Sequence, residues 1–378
     1  MYNALRRIDY FFGKACYYLR WLLFLKCSKR IAEVEIKKIL CIKLWGLGNL
    51  AIIYPLILKI KEKFPKAKLI FVTFDLNNGF LENNKAVDSI LYFPFSRNIF
   101  KLINEALLLI KKLRKENIDL VINFEFFNNA AACFSCLIGA PLRIGRDTRD
   151  EGIFYTHPIS QDNLEHISER FCSLLKPLGT NTDYAYACIE GTSEDKKKIE
   201  YLLDLFSVEK FICIHPGASD NFRGKVYHKD CFAELAKMFV SIKGFTVIFI
   251  GQDKKWRVVN NADMVVSAKR KIIDLTNQLT IGELVELLRK SKLLVSNDTG
   301  PVHIAASLGI NTAVLYGPTS PRNYKPLNSN SLVFYKNLFC SPCVGIRHVN
   351  RRCNNNFICM DFSLLEIYEG VVRKFLND

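Results

Sequence analysis

Short apolar runs alternate with helical patterns along most of this chain, and the alternation occurs as two separate series. One series lies between Lys38 and Phe124, and the other lies between Lys210 and Tyr316. Near-continuous apolar runs separated by helices are typical of parallel strands that helices cover on both faces. A chain of 378 residues is also too long for one compact core. The sequence therefore predicts two doubly wound α/β domains, in which ligands bind beyond the carboxyl ends of the strands.

The two series define the predicted elements and boundaries. We expect strands at 38–44, 68–73, 89–93, 119–124, 210–215, 245–250, 292–296 and 312–316, and helices at 50–63, 100–115, 229–242, 280–291 and 301–308. The polar stretch 191–198 is the predicted junction. The predicted parts are therefore an N-terminal extension (1–35), a first domain (36–190), a second domain (191–360) and a closing helix (361–378).

The composition limits the partners. A net charge of +16 suits nucleic acid, an anionic membrane or phosphorylated small substrates. No Lys/Arg-rich run is interleaved with aromatic residues in the manner of a nucleic-acid-binding module, so we expect no nucleic-acid partner. Most of the thirteen cysteines stand singly in apolar runs without a preceding secretory signal, which predicts a reducing, cytoplasmic setting.

The segment Met1–Arg30 is both aromatic and basic. Its apolar run is interrupted by Arg20 and is too short to span a hydrocarbon layer of roughly 30 Å. Two interpretations stay open: a helix in the headgroup layer of the inner membrane, or a helix packed on the body of the protein.

The stretch Leu293–Gly309 has the pattern of a strand, a small polar turn and a helix. Pro301 falls in the first helical turn, and Gly309 falls at the helix end. Backbone N–H groups and the helix dipole favour an anion at such a helix start. Two further turns follow predicted strands at the same sheet end: His215–Ser219, with Lys225 nearby, and Gly251–Asp253. Together these turns predict a diphosphate site.

After the first strand, Gly46-x-Gly48-x-x-Ala51 is a loose dinucleotide-binding fingerprint. Taken alone, it leaves open a nicotinamide-dependent oxidoreductase, although that function does not explain the turn at Asp298.

The motifs as a set resemble those of glycosyltransferase family 9, the heptosyltransferases of lipopolysaccharide core synthesis. The similarity runs from Lys38 to about Val371. Its most specific part is Asp298-Thr-Gly-Pro-x-His-x-Ala-Ala-x-x-Gly309, followed by Tyr316-Gly-Pro-Thr-x-Pro321. The resemblance implies a GT-B fold of two facing Rossmann-like domains with a C-terminal crossing helix.

The resemblance also implies roles for individual residues. Lys225 is expected to neutralise the leaving phosphate, and Gly46 and Gly48 are expected on the acceptor side. The donor, an ADP-heptose-like nucleotide sugar that acts as substrate rather than cofactor, is expected to bind Ser219, Lys225, Gly251, Asp298, Thr299, Gly300 and His303. For His303, a packed, hydrogen-bonded role is an open alternative.

Two departures from the family pattern are visible. Asn49 stands where the family places an Asp as general base, and an amide cannot accept the acceptor's proton. Glu125, which follows a strand at the same sheet edge, is the predicted substitute. If no substitute acts, the chain is a weakly active or non-catalytic nucleotide-sugar-binding relative. In addition, the spacer between Ser219 and Lys225 is longer than usual, so Arg223 is expected to share or replace the phosphate role.

Metal chemistry is the last question that the sequence raises. No Asp-x-Asp pair that would hold a divalent metal on a nucleotide sugar occurs, so we expect metal-independent transfer without a cofactor. A structural zinc ion is a lower-ranked hypothesis for the four tail cysteines, whose spacing includes one C-x₂-C pair: Cys340, Cys343, Cys353 and Cys359.

The predicted function is thus an inverting glycosyltransferase that moves a heptose or related sugar to a lipid-linked saccharide acceptor of the lipid A or core type. We expect it in the cytoplasm, with possible peripheral attachment to the inner membrane.

Overall fold

The chain forms two compact units in the computed structural model. The structure describes residues 30–96, 98–126, 128–147, 151–160, 166–218, 224–241, 245–253, 271–328, 330–345 and 353–377. The first unit comprises the chain up to Gly46 together with Ile53–Tyr184, and the second comprises Leu47–Ile52 together with all residues from Ala185 onward. Most of the predicted N-terminal extension, residues 1–29, lies outside the described residues.

The first unit is built on a parallel six-stranded sheet with the order β3-β2-β1-β4-β5-β6. Its strands are β1 (Lys38–Ile42), β2 (Lys68–Phe74), β3 (Ser89–Phe93), β4 (Leu120–Asn123), β5 (Leu142–Arg146) and β6 (His157–Ile159). Its helices are α1 (Leu47–Lys63, whose first residues belong to the second unit), α2 (Ile99–Lys115), α3 (Asn129–Leu137) and α4 (Ile167–Cys172).

The second unit repeats this plan, with the strand order β12-β11-β10-β7-β8-β9. The strands are β7 (Lys210–His215), β8 (Phe245–Phe249), β9 (Ile272–Asp274), β10 (Leu293–Asn297), β11 (Asn311–Tyr316) and β12 (Ser331–Tyr335). The helices are α5 (Ser193–Leu205), α6 (Lys229–Val240), α7 (Ile281–Lys290), α8 (Gly300–Ser307), α9 (Pro321–Tyr324) and α10 (Leu364–Val371).

Both sheets are apolar at their centres because helices cover them. In the first unit, Leu40 and Ile42 of β1 pack in one buried cluster with Val121 of β4. In the second unit, β7, β10 and β11 share a cluster with Ile367 of the closing helix α10. Complete burial of such a side chain contributes about 1.5–3 kcal/mol, so these clusters fix the strand ends firmly.

Each sheet has one point where the strand order reverses. It lies between β1 and β4 in the first unit and between β7 and β10 in the second. The carboxyl ends of the two strands diverge there and leave a crevice, which is where doubly wound sheets bind their ligands.

The predicted class, two Rossmann-like parallel sheets, is confirmed. Four strands were not predicted: β5, β6, β9 and β12. The stretch 191–198 contains the start of α5, which Thr192 caps through a reciprocal capping box with Asp195. The units separate between Tyr184 and Ala185. Among the described residues, no helix combines the length and the apolar composition that crossing a bilayer requires.

Candidate active site

The crevice of the second unit is bordered by two strand ends. His215 closes β7 and leads into Pro216 and Gly217, while Asn297 closes the neighbouring strand β10 and leads into Asp298. The crevice therefore contains two of the turns that the sequence singled out.

Asn297 holds these turns together, although it is fully buried and contacts no solvent. Its Nδ2 donates to the carbonyl oxygen of Pro216 at 2.9 Å, and its Oδ1 accepts from the backbone N–H of Tyr227 at 3.1 Å. Both ends of the loop between β7 and α6 are thus attached to β10 by one side chain. Loss of this amide would leave buried backbone groups unpaired.

Lys225 and Asp298 form an ion pair at the rim of the crevice. The distance from Lys225 Nζ to Asp298 Oδ2 is 2.6 Å, and the hydroxyl of Thr319 donates to the same carboxylate oxygen at 2.7 Å. The Asp298 side chain is almost completely buried, whereas that of Lys225 keeps some exposure. An ammonium group held in this way is available to an anion that enters from solvent.

Helix α8 begins directly after Asp298. Its N-cap residue, Thr299, makes no side-chain hydrogen bond to the first turn, so this side chain leaves the N-terminal N–H groups uncapped. The Thr299 hydroxyl instead lies 3.1 Å from His215 Nδ1 and 3.0 Å from Ser296 Oγ. A helix start of this kind offers N–H donors and the positive end of its dipole to a phosphate group.

His215 supports the crevice as a neutral group. Burial lowers the pKa of His215 to about 4, so the imidazole is uncharged at neutral pH. Its Nδ1 lies within hydrogen-bonding distance of Thr299 and Ser296, and its ring lies beside Gly251. His215 therefore lies where the three turns at this sheet end meet.

The first turn of α1 lies against the start of α8 within the second unit. A side chain at Gly48 would come within 3.0 Å of the Gly300 backbone and 2.9 Å of His303 Cδ2, so only glycine fits here. The Asn49 side chain is half-buried and makes no hydrogen bond among the described residues. Two helix N-termini thus meet beside the crevice, and Asn49 belongs to one of them.

His303 is buried in α8, and its Nδ1 lies 3.0 Å from the hydroxyl of Tyr186. This geometry fits the packed, hydrogen-bonded role that the sequence left open for His303. Ser219 and Arg223, both expected at the donor phosphates, lie outside the described residues.

The crevice of the first unit contains a different arrangement. Glu125, just beyond β4, is buried, and its Oε1 accepts from Lys43 Nζ at 2.8 Å and from the backbone N–H groups of Leu44 and Trp45 at 2.6 and 3.0 Å. Gly46 follows with a φ of 90°, which favours glycine. Glu125 therefore fixes the segment that leads into the predicted acceptor-side glycine turn. Only Oε2 is left to receive a proton.

The cysteine tail packs on the turn after β11. The carbonyl oxygen of Pro318 accepts from the N–H groups of Cys343 and Val344, at 2.9 and 2.7 Å. Burial and the nearby cysteines raise the pKa of Cys359 to about 11. Within the described ranges, no three His, Cys, Asp or Glu side chains are arranged to hold a metal ion, so the zinc hypothesis for Cys340, Cys343, Cys353 and Cys359 gains no support and stays a prediction.

The sequence predicted that four residues lie at the same sheet end, and the structure places them there: Lys225, Gly251, Asp298 and Thr299. It missed Asn297, His215 and Thr319 as site residues. A signal existed for two of them: His215 and Asn297 each end a strand that enters a singled-out turn.

Two Rossmann-like parallel sheets, the second with an uncapped helix start beside a Lys–Asp pair, have the architecture of the GT-B glycosyltransferase class. The family model of glycosyltransferase family 9 (heptosyltransferase) matches residues 106–353, more than half of the chain. The chain belongs to this family and is a glycosyltransferase. Membership removes the nicotinamide-dependent oxidoreductase from consideration.

Relatives and solved structures agree with this assignment. The chain is 26% identical over 297 residues to lipopolysaccharide heptosyltransferase 3 of Escherichia coli K12, covering 76% of this chain and 85% of the relative. It superimposes on the family 9 glycosyl transferase of Veillonella parvula with a TM-score of 0.73 and 18% identity, covering 92% and 99% of the two chains. For the E. coli ADP-heptose lipopolysaccharide heptosyltransferase II, the TM-score is 0.71 at 19% identity, with 90% and 99% covered. At these identities, the two structures establish the shared GT-B fold.

Proposed function

We propose that this protein transfers a heptose from ADP-heptose to a lipid-linked saccharide acceptor of the lipopolysaccharide core, with inversion at the anomeric carbon and without a metal ion. The observation that carries the proposal is the Lys225–Asp298 pair at the start of α8. The donor and the pathway are those named for the similar proteins.

The second unit supplies the groups that a nucleotide-sugar donor requires. The N–H groups at the start of α8 and the Lys225 ammonium provide positive potential for a diphosphate. Asp298 presents a carboxylate, oriented by Thr319, that can accept hydrogen bonds from sugar hydroxyls. Ser219, Gly251, Thr299, Gly300 and His303 stay assigned to the donor.

The chemistry follows from these charges. The acceptor hydroxyl oxygen forms a bond to the anomeric carbon on the face opposite ADP, while the bond from that carbon to the β-phosphate oxygen breaks. The electron pair moves to the phosphate, where Lys225 and the dipole of α8 stabilise the new charge. Preorganised positive groups of this kind replace a divalent metal in the proposal.

The fate of the acceptor proton is the open step, because the Asn49 amide cannot take it. Glu125 stays the proposed base through Oε2, since Oε1 already accepts three hydrogen bonds. Without a well-placed base, transfer loses a factor of about 10²–10⁴. If Glu125 does not act as the base, we therefore expect slow or no turnover in this protein.

The acceptor is expected to bind the first unit, with Gly46 and Gly48 on its side. A lipid-linked acceptor places the reaction at the cytoplasmic face of the inner membrane, and the basic segment 1–30 is proposed to attach the enzyme there.

A thermal-shift screen of nucleotide sugars on the wild-type protein and on Asp298→Ala tests the donor assignment. We expect ADP-heptose to raise the melting temperature of the wild type and to have little effect on the variant. Equal shifts in both proteins, or a shift only with another nucleotide sugar, would overturn the donor assignment.

A transfer assay tests the mechanism. We expect turnover of ADP-heptose on a lipid A-type acceptor to persist in excess chelator, and NMR of the product to show the opposite anomeric configuration to that of the donor. Loss of turnover on chelation that an added metal ion restores would contradict the metal-free mechanism.

A further inference from the structure

Helix α2 of the first unit exposes large apolar side chains on its outer face. Phe100 is 80% exposed and Leu107 is 56% exposed, and Ile103 and Leu108 are also more than half exposed. At 3.6 residues per turn, these four positions fall within an arc of about 140°. They therefore form an apolar stripe on one face of the helix, which the exposed Asn104 interrupts.

This stripe is not the core-facing side of the helix. Leu113, on the opposite side, is buried in the core cluster of the first unit, and Ile110, just beyond the edge of the arc, is buried as well. A helix on the surface of a globular protein normally carries polar residues on its outer face. Four large apolar side chains that are left in solvent on one helix face indicate an interaction surface.

The charges beside the stripe indicate an anionic partner. The helix contains five basic residues and one acidic residue, Glu105, which gives 5 − 1 = +4. By the same helical geometry, Lys111 and Lys115 fall within the apolar arc, and both are exposed. Neither lysine forms an ion pair in the part of the chain that the structure describes.

We propose that the outer face of α2, formed by Phe100, Ile103, Leu107, Leu108, Lys111 and Lys115, docks on an anionic phospholipid bilayer. The apolar side chains enter the boundary between headgroups and acyl chains, and the lysines bind lipid phosphates. Seventeen residues give the helix a length of roughly 25 Å, so it lies along the surface. The inference deepens the proposed function, since a lipid-linked acceptor is presented at such a surface.

Helix α5 provides the matched control. Its Tyr201 and Leu205 are also exposed, at 65% and 55%, and stand one helical turn apart. The charges of α5 are three basic and four acidic residues, or 3 − 4 = −1. Because this helix is acidic, we do not expect its apolar pair to bind anionic lipid.

Co-sedimentation of the full chain with vesicles of phosphatidylcholine, with and without phosphatidylglycerol, tests the proposal. We expect stronger binding to vesicles that contain phosphatidylglycerol. The double variant Phe100→Ser/Leu107→Ser should bind them roughly tenfold more weakly, because two apolar anchors are lost. Lys111→Gln/Lys115→Gln should bind more weakly and with a smaller salt dependence, whereas Tyr201→Ser/Leu205→Ser should bind as the wild type does.

Three outcomes would overturn the proposal. The first is that Phe100→Ser/Leu107→Ser binds vesicles as strongly as the wild type, and the second is that the α5 control loses as much binding as the α2 variant. The third is binding that does not depend on phosphatidylglycerol. Sedimentation velocity adds a fourth, because self-association that only the α2 substitutions abolish would assign this face to a second copy of the chain. Turnover of ADP-heptose on a water-soluble, lipid-free acceptor saccharide separates this inference from the proposed function. It should be unchanged in the α2 variants, and its absence in the wild type would count against the proposed function alone.

Discussion

Each unit places a lysine and a carboxylate at the point where its strand order reverses, but the two pairs differ in setting. In the first unit, the side chains of Lys43 and Glu125 are 4% and 6% exposed. In the second unit, those of Lys225 and Asp298 are 16% and 7% exposed. Glu125 holds backbone N–H groups of its own chain, whereas Asp298 is held by the hydroxyl of Thr319.

The difference in burial and in hydrogen-bond partners indicates that the two pairs have different roles, although the two sheets are similar. A buried pair that binds its own backbone stabilises a loop, and three hydrogen bonds engage Oε1 of Glu125. A pair with a partly exposed ammonium beside an uncapped helix start keeps its charge accessible to solvent. The same topological position thus holds a loop in one unit and presents a cation to solvent in the other.

We expect the largest effect on stability when the buried Lys43–Glu125 pair is broken. Glu125→Ala leaves the Lys43 ammonium unpaired in the core, and we expect a loss of about 3–5 kcal/mol in the free energy of unfolding. Urea denaturation measures it. The control Glu35→Ala, which breaks the exposed pair with Lys37, should leave the free energy of unfolding almost unchanged.

Glu125→Gln then tests the base assignment. If Glu125 takes the acceptor proton, turnover per folded molecule falls by about 10²–10⁴-fold. A variant with normal turnover per folded molecule would assign Glu125 to loop support alone.

The second prediction concerns the charge of Lys225, whose side chain is partly exposed. Lys225→Met should lower turnover of ADP-heptose by about 10²–10³-fold, because the leaving diphosphate loses its cation. Its unfolding free energy should change less than that of Glu125→Ala. Lys210→Met, at the opposite end of β7, should turn over normally, and a comparable loss there would show that net charge rather than position matters.

The third prediction restores a carboxylate beside the binding crevice. Asn49→Asp should raise turnover by at least about tenfold, since a general base is typically worth 10²–10⁴-fold. Steady-state kinetics of ADP release measures it, with Asn49→Ala as the control that should gain nothing. Unchanged turnover in Asn49→Asp would mean that the proton leaves by another group.

The last prediction concerns the pH dependence of stability. His215 titrates at about 4 in the folded protein and near 6.5 when unfolded, so below pH 6.5 the unfolded chain binds more protons. Stability should therefore fall by about 2 kcal/mol between pH 7 and pH 5 through this group. Denaturation at both pH values should show a smaller fall for His215→Asn, and an identical fall would place the lost stability elsewhere.

Much of the fold was predictable because central parallel strands are apolar and their helices are amphipathic. The prediction was weakest at the edges of the sheets. Strands β6 and β9 span only three residues each, and β5 contains two arginines, so neither length nor apolar content marked them. The polar start of α5 resembled a linker because its capping residues are also common in loops.

The sequence predicted where the candidate site lies, but not the contacts between its side chains. Parallel strands bring their carboxyl ends to one edge, so Lys225 and Asp298 were expected near each other. Their direct contact spans 73 positions of sequence and depends on side-chain geometry that no local pattern encodes. The same holds for the bond between Thr299 and His215.

The turns of the second unit depend on residues of the tail, which lie far along the chain. Pro318 receives two backbone hydrogen bonds from Cys343 and Val344, and Thr319, the next residue, orients the Asp298 carboxylate. A shortened protein that stops before Cys343 would lose both bonds and the helix α10 that fills the core. Such a deletion would also remove the Phe362 carbonyl that accepts from the hydroxyl of Tyr227, so we expect it to loosen the loop that carries Lys225.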